Sequence, residues 1–124
     1  MKKKFLFVED NKYLTEIIKY VCDMDKTNYN LILADEGESA LKRYNENKKA
    51  LDLIILDLNL PKINGNELMN IIRKENKKIP IILSTGEKLS NNQQQNYIKN
   101  GFNRILIKPY KLNDLISIFN QYLN

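Results

Sequence analysis

Apolar residues follow two different spacings along this chain, and the change of spacing predicts its secondary structure. Compact apolar runs predict five strands, at residues 4–8, 31–34, 53–56, 80–85 and 104–107. Between these runs, apolar residues recur every three to four positions, which is the spacing of one helix face. The clearest helical stripes occupy residues 11–22 and 112–123, and shorter ones surround Ala40 and follow Gly65. Residues 91–100 predict a helix more weakly, because few of these positions are apolar.

The order of these segments indicates an α/β fold built on a parallel sheet. Residues 53–56 are apolar throughout, which is typical of a strand buried on both faces. Because each strand is followed by a helical segment, we expect five helices covering both faces of a five-stranded sheet. Right-handed crossover connections restrict the arrangement further, but periodicity leaves the order of the strands open.

The composition is that of one small globular domain. The chain has 124 residues, of which 43% are hydrophobic and 28% charged, so residues 1–124 are predicted to form a single domain. The longest apolar runs have the length of strands, which argues against a transmembrane helix and predicts no membrane insertion. A single cysteine and the lack of a signal sequence argue against a disulfide framework and favour a cytoplasmic location. Because the sequence has no histidine, His-based triads and the usual zinc sites are excluded.

The net charge of +5 raises the question of nucleic-acid binding. A nucleic-acid surface needs clustered basic residues with aromatic or polar side chains among them. The lysines are scattered along the sequence, apart from pairs at 48–49 and 77–78 near predicted helix ends, where cations are favoured. We therefore predict a solvated basic surface and no direct contact with nucleic acid.

Residues with reactive side chains follow four of the five predicted strands. Glu9 and Asp10 come after the first strand, Asp57 after the third, Thr85 after the fourth and Lys108 after the fifth. The carboxyl ends of parallel strands meet at one edge of the sheet, which is where open α/β sheets bind ligands. The sequence therefore predicts that three acids, a hydroxyl and an ammonium group converge there.

Such a set has a definite chemistry. Each close pair of carboxylates costs roughly 4 kcal/mol at ~4 Å and an effective dielectric constant near 20, so the cluster favours a bound cation. Donors that are all oxygen, without His or Cys, favour a hard ion such as Mg²⁺. Lys108 and Thr85 are suited to the oxygens of a phosphoryl group carried by Asp57.

Each residue also has a local explanation. Glu9 and Asp10 would cap the first helix, Thr85 would serve as a turn hydroxyl, and Lys108 would be an ordinary exposed lysine. The shared placement of all of them at the ends of strands favours a common site over these separate roles.

Four stretches together resemble the receiver domain of two-component response regulators. These stretches are FVEDN at 7–11, LDLNLP at 56–61 followed by Gly65, PIILSTG at 80–86 and KPY at 108–110. The resemblance implies a flavodoxin-like, doubly wound sheet with strand order 2-1-3-4-5. We expect a stand-alone receiver domain that acts as a signalling switch and is not a metabolic enzyme.

The resemblance also implies a phosphorylation site and its metal. Asp57 would accept a phosphoryl group from a sensor histidine kinase or a phosphotransfer protein. Mg²⁺ (or Mn²⁺) would be bound by Asp10, Asp57 and the backbone carbonyl of Asn59, with Glu9 acting mostly through water.

Further residues take roles from the same resemblance. Thr85 and Lys108 would bind the phosphoryl oxygens; Thr85 is preferred over Ser84, which strand alternation would point away from the edge. Asn59 and Glu87 would modulate dephosphorylation. The face that binds a downstream protein would include Tyr97, Arg104, Ile105, Tyr110 and Lys111.

Two features depart from the family pattern. Ile105 stands three residues before the lysine, where the family usually has an aromatic ring that moves on activation. The region after Thr85 is unusually polar, which leads us to hypothesise that its helix packs loosely and carries the switch.

Three alternatives follow from the same residues. An Asp-nucleophile phosphatase would have a second Asp where this chain has Asn59. A flavin-binding module would have a phosphate-binding loop in place of Glu9 and Asp10. A pseudo-receiver would bind partners without phosphorylation, and Ile105 is the residue that favours it.

Overall fold

A computed structural model describes residues 2–24 and 29–124 and contains the predicted alternation of strands and helices. The elements are β1 (Lys3–Val8), α1 (Lys12–Met24), β2 (Tyr29–Ala34), α2 (Gly37–Asn47), β3 (Leu51–Asp57), α3 (Gly65–Glu75), β4 (Ile81–Thr85), α4 (Asn91–Asn100), β5 (Arg104–Ile107) and α5 (Leu112–Tyr122). The helix that the sequence predicted weakly, at 91–100, is present over its full predicted length. Strand β4 begins one residue later than predicted, at Ile81.

The five strands form one parallel sheet in the order β2-β1-β3-β4-β5, which confirms the predicted doubly wound fold. From β1 the chain moves outward to β2 and then returns to the other side of β1 to form β3. The connections after β1 and β3 therefore diverge, and a crevice opens between them at the carboxyl edge of the sheet.

Strand β3 lies at the centre of the molecule, and the side chains of residues 53–56 have no exposed surface. Alternate residues feed two apolar clusters, one on each face of the sheet. Ile54 and Leu56 pack against α2 and α3, whereas Leu53 and Ile55 pack against α1 and α5. This burial on both faces explains why residues 53–56 are uniformly apolar, and it holds the end of the strand rigidly.

Helix α4 is attached to the molecule mainly at its C-terminal end. It has no buried residue, and its half-buried Tyr97 contacts Phe102 edge-on with ring centroids 5.9 Å apart. The helix ends at Gly101, whose φ of 145° is in a region that favours glycine. Arg73 of α3 donates from Nε to the Gly101 carbonyl at 2.9 Å and so fixes that end.

The lysine pairs lie closer together than their sequence positions suggest. Residues 48–49 precede β3, residues 77–78 precede β4, and Lys3 begins β1; these strands are neighbours in the sheet. The prediction of scattered lysines was therefore incomplete, because the parallel sheet gathers these residues at its amino edge. Across the described ranges, no helix combines the length and apolar character needed to span a membrane.

Candidate functional site

Three acids meet at the carboxyl edge of the sheet. Glu9 and Asp10 follow β1, and Asp57 is the last residue of the adjacent strand β3. One carboxylate oxygen from each lies within 4.8 Å of the others. Glu9 and Asp57 are buried, with 1% and 5% of their surface exposed, whereas Asp10 is open to solvent. We call these three residues the acidic site.

Lys108 connects the two buried acids. Its Nζ lies 2.6 Å from Glu9 Oε1 and 3.0 Å from Asp57 Oδ2, and its backbone N–H donates to the Thr85 carbonyl at 2.8 Å. Burial lowers the pKa of Lys108, but hydrogen bonds with Glu9 and Asp57 outweigh burial and hold that pKa above its ordinary value. Three carboxylates facing one ammonium group leave an excess of negative charge at this edge.

Glu9 is the acid whose environment least favours its charge. Burial raises the pKa of Glu9 above its ordinary value, and hydrogen bonds from Lys108 and the Asn11 backbone oppose this rise without cancelling it. The nearby charge of Asp57 raises the pKa further. A cation bound beside Glu9 would favour its charged form and so lower its pKa.

The loop after β3 is fixed tightly against the strand. The Asn59 N–H donates to Asp57 Oδ1 at 3.2 Å, and the Gly65 N–H donates to the Leu58 carbonyl at 2.9 Å. A Cβ atom at Gly65 would overlap the Asp57 carbonyl oxygen, so only glycine allows this approach. The backbone of Asn59 is therefore held next to the acidic site.

Thr85 and Ser84 occupy different positions around Asp57. Thr85 is fully buried, and its Oγ1 accepts a hydrogen bond from the Glu87 N–H at 3.1 Å, while the Glu87 side chain is exposed. Ser84 pairs in register with Asp57 across β3 and β4 and is only 1% exposed. Strand alternation predicted that Ser84 points away from the edge, but it did not reveal that Ser84 lies directly beside Asp57.

Tyr110 also lies near the acids, although the family resemblance assigned it only to the output face. The half-buried ring packs against the apolar cluster between the sheet, α1 and α5. Burial raises the pKa of Tyr110 to about 12, and the charges of Glu9 and Asp57 contribute, while a contact with Ser84 opposes the rise. Sequence patterns missed this proximity because it depends on the path of the chain after β5.

Two of the other predicted output-face residues, Arg104 and Ile105, line a groove between α4 and β5, whereas Tyr97 and Lys111 lie outside its lining. The groove has a volume of about 550 Å³ and is lined by residues including Ile98, Arg104 and Ile105. The Arg104 guanidinium donates to Gln121 Oε1 of α5 at 3.1 Å, so β5 and α5 form one continuous surface. Ile105 is half-buried on the α4 side, and Lys111 is exposed just before α5.

The donor atoms of the acidic site fit a hard divalent cation. All of them are carboxylate oxygens, which suit Mg²⁺ and do not suit softer metals. Mg²⁺ keeps several waters and uses few protein ligands, and the exposed side of Asp10 leaves room for them. The residues present are therefore those that such an ion requires.

Comparison with known proteins gives a consistent result. The family model described as "Response regulator receiver domain" matches residues 5–120. The chain is 34% identical over 87 residues to the alkaline phosphatase synthesis transcriptional regulatory protein PhoP of Bacillus subtilis, covering 70% of this chain and 35% of PhoP. It is 32% identical over 129 residues to the probable transcriptional regulator ycf29 of Pyropia yezoensis, covering 99% of this chain and 54% of that protein. The chain thus spans about a third to a half of these curated relatives.

Solved structures agree with the family match. The receiver domain of the Francisella response regulator 1452 superposes with a TM-score of 0.86 at 28% identity, covering 97% of this chain and 95% of that one. The non-phosphorylated HemR receiver domain of Leptospira biflexa has a TM-score of 0.84 at 29% identity, covering 97% of this chain and 93% of that one. Both structures align with almost the entire length of this chain.

Proposed function

The chain belongs to the response regulator receiver domain family, and from this membership we propose that Asp57 is the phosphoacceptor of a two-component phosphorelay. The observation that supports Asp57 most strongly is its position at the end of the central strand, bridged to Lys108 at 3.0 Å. Asp57 is buried enough to be held in place, yet it lies at the edge that a phosphodonor can reach.

The proposed metal is Mg²⁺ or Mn²⁺, bound by Asp10, Asp57 and the backbone carbonyl of Asn59, with Glu9 acting through water. The observation behind this assignment is the close approach of the three carboxylates, within 4.8 Å. When bound, the ion would neutralise negative charge on the phosphoryl group during transfer.

Three side chains would take part in phosphoryl transfer, those of Asp57, Lys108 and Thr85. A carboxylate oxygen of Asp57 would attack the phosphorus of a phosphohistidine, and the histidine nitrogen would leave. Lys108, already 3.0 Å from Asp57, would place its ammonium group on a phosphoryl oxygen. Thr85, whose Oγ1 accepts a hydrogen bond from the Glu87 N–H at 3.1 Å, would donate its own hydroxyl hydrogen to another phosphoryl oxygen.

The proposed output is a change of the α4-β5-α5 face that alters binding of a downstream protein. The residues assigned to this face are Tyr97, Arg104, Ile105, Tyr110 and Lys111. Converting a mostly inactive population to a mostly active one requires about 5.5 kcal/mol of differential stabilisation. We assign this free energy to the new contacts of phospho-Asp57 with Thr85 and Lys108, and we assign control of water access to Asn59 and Glu87.

The assignment to Asp57 is tested by phosphorylation with acetyl phosphate. The protein is incubated with acetyl phosphate and Mg²⁺, and its intact mass is recorded beside that of Asp57→Asn and Asp35→Asn. Asp35 is an exposed acid after β2 at the same edge, which makes it a matched control. We expect one added phosphoryl group in the wild type and Asp35→Asn, and none in Asp57→Asn or with excess EDTA.

Rapid hydrolysis could hide the adduct, so a second measurement accompanies the first. Beryllofluoride with Mg²⁺ gives a stable analogue of the acyl phosphate, and its binding is followed by NMR. If the wild-type protein shows neither the mass increase nor a beryllofluoride-dependent spectral change, the phosphoacceptor assignment is wrong and the pseudo-receiver alternative replaces it.

A further inference from the structure

Ser84 carries a buried hydroxyl group that the proposed chemistry leaves unused. Within the described part of the chain, its Oγ has no hydrogen-bond partner, although the residue is only 1% exposed. Buried polar groups are nearly always hydrogen-bonded, because leaving one unpaired costs free energy. Ser84 is also the β4 residue in register with Asp57. An unpaired hydroxyl at this position points to a bond that forms in another state of the protein.

Tyr110 carries the polar group whose pKa Ser84 affects. Its ring packs on the same side of the sheet as Ser84, against the cluster that also contains Ile82 and Leu106. Ser84 lowers the pKa of Tyr110 as a hydrogen-bonding partner does, whereas Ser84 Oγ makes no hydrogen bond of good geometry, so the two hydroxyls lie at the margin of hydrogen-bonding distance. The pair is therefore arranged for a bond that a small movement would make.

The segment that carries Tyr110 begins at the residue that responds to phosphorylation. Lys108 bridges Glu9 and Asp57, and Tyr110 follows it by two residues. A phosphoryl group on Asp57 would draw Lys108 away from Glu9, and the short connection would carry the displacement to Tyr110. Helix α5 starts at Leu112, so the same displacement reaches its first turn.

We propose that Ser84 and Tyr110 form a hydroxyl latch, which closes when Asp57 is phosphorylated and transmits the change to α5. This inference rests on the proposed function and adds to it a regulatory contact on the α1–α5 side of the sheet. Ile105, on the opposite face, has no polar group that could make an equivalent contact. Ser84 and Tyr110 are thus positioning residues that act through Lys108 and the start of α5.

A double-mutant cycle tests the latch. Ser84→Ala and Tyr110→Phe each remove one hydroxyl with almost no change of shape, and Tyr122→Phe, at a half-buried tyrosine near the end of α5, is the matched control. The rate constant for loss of the phosphoryl group is measured by intact mass. We expect each single variant to change this rate by about fivefold, the value for one hydrogen bond, and the double variant to equal either single one.

A spectroscopic readout separates the latch from general effects on folding. In protein labelled with ¹³C at the tyrosine ζ carbon, Tyr110→Phe identifies the Tyr110 signal. We expect Mg²⁺ and beryllofluoride to shift this signal in the wild type and in Tyr122→Phe, and Ser84→Ala to reduce the shift by about half or more.

The outcomes distinguish the latch from the function on which it rests. If the wild-type protein accepts neither the phosphoryl group nor beryllofluoride, both proposals fall. If it accepts them but the two variants match the wild type, or change the rate additively, the latch alone is wrong. Non-additive rates together with the lost shift in Ser84→Ala would establish it.

Discussion

Lys108 determines how two buried acids are tolerated next to each other. Its ammonium group lies within 3.0 Å of both Glu9 and Asp57, and only 20% of its side chain is exposed. We expect Lys108→Met to lower the free energy of unfolding by about 2 kcal/mol at neutral pH, because it leaves two buried carboxylates unpaired. Urea denaturation of the metal-free protein measures the change.

A second variant checks that charge is the cause. Adding Glu9→Gln to Lys108→Met removes one of the unpaired carboxylates, so the double variant should regain part of the lost stability. If it proves less stable than Lys108→Met alone, packing of the lysine side chain and not charge explains the loss.

Cys22 is expected to be chemically inert in the folded protein. Burial raises the pKa of its thiol from 9.0 to about 11, and the charge of Asp23 contributes. At pH 8, two pKa units reduce the reactive thiolate fraction about 100-fold relative to the unfolded chain. Alkylation with iodoacetamide should therefore be at least about 100-fold slower in buffer than in urea.

The raised pKa of Cys22 also lowers the stability of the fold at high pH. The unfolded thiol loses its proton at a lower pH than the folded one, so the folded state retains its proton between pH 9.0 and about 11. Stability should therefore fall as the pH rises through this window, and less so in Cys22→Ala. Equal alkaline losses in the two proteins would contradict the assignment to Cys22.

The residues that lie at the ends of strands could be predicted from the sequence. Glu9, Asp57 and Lys108 could be placed together because parallel strands end at a common edge. Ser84 and Tyr110 could not be placed beside Asp57 in the same way. Their positions depend on the register between β3 and β4 and on the path after β5, neither of which hydrophobic spacing encodes.

Among the elements, the junction between α2 and the loop after β3 depends on one glycine. The Gly37 N–H donates to the Pro61 carbonyl at 3.1 Å, and a Cβ atom at Gly37 would overlap the Ile63 carbonyl oxygen. Alanine normally favours a helix over glycine, but this overlap involves backbone and cannot be relieved cheaply. We expect Gly37→Ala to destabilise the protein by about 2 kcal/mol in urea denaturation.

Gly86 provides the control for that substitution. A Cβ atom there would have only an ordinary contact, 3.9 Å from Lys108 Cβ. Gly86→Ala should therefore change the stability little. If both glycine variants lose the same free energy, loss of backbone freedom and not the overlap at Ile63 is responsible.

Helix α4 is expected to open more readily than its neighbours. None of its residues is buried, whereas α3 buries Leu68, Met69 and Ile72. Burial of apolar side chains is the main source of local stability, so we expect backbone amides in α4 to exchange with deuterium at least about tenfold faster than those in α3. Mass spectrometry of peptides from the two helices makes the comparison.

The attachment of α4 at one end makes that expectation more specific. Arg73 holds the carbonyl of Gly101 at 2.9 Å, so the C-terminal turn should exchange more slowly than the N-terminal turn. Uniform protection of α4 at the level of α3 would contradict the hypothesis that this helix carries the switch.

The existence of the elements could be predicted more completely than their arrangement. Spacing alone located every strand and the helix at 91–100, because each buries a regular set of apolar positions or is bounded by clear turns. Strand order followed only from the resemblance to a family, since hydrophobic periodicity carries no information about which strands are neighbours. The loose packing of α4 could be predicted, because its sequence offers few apolar side chains to bury.

Charges of opposite sign are concentrated at the two edges of the sheet. Three carboxylates lie at the carboxyl edge of the sheet, while the lysines of residues 48–49 and 77–78 lie at the amino edge. This separation is not visible along the sequence, because residues from distant segments meet only when the parallel sheet forms. An excess of negative charge at one end is therefore compatible with a net charge of +5.

This separation predicts that a divalent cation stabilises the entire fold. Binding of Mg²⁺ to the acidic site would relieve repulsion among the carboxylates within 4.8 Å, and only the folded chain assembles them. At a Mg²⁺ concentration ten times its dissociation constant, the stabilisation is about 1.4 kcal/mol. For a domain of this size, that value raises the melting temperature by about 5 °C.

Thermal unfolding with increasing MgCl₂ measures this effect, with NaCl of equal ionic strength as the control. Asp57→Asn removes one of the three carboxylates, so its melting temperature should rise less than that of the wild type. Asp35→Asn, which leaves the acidic site intact, should respond as the wild type does. If NaCl and MgCl₂ raise the melting temperature equally, general screening of charge and not a bound ion accounts for the stabilisation.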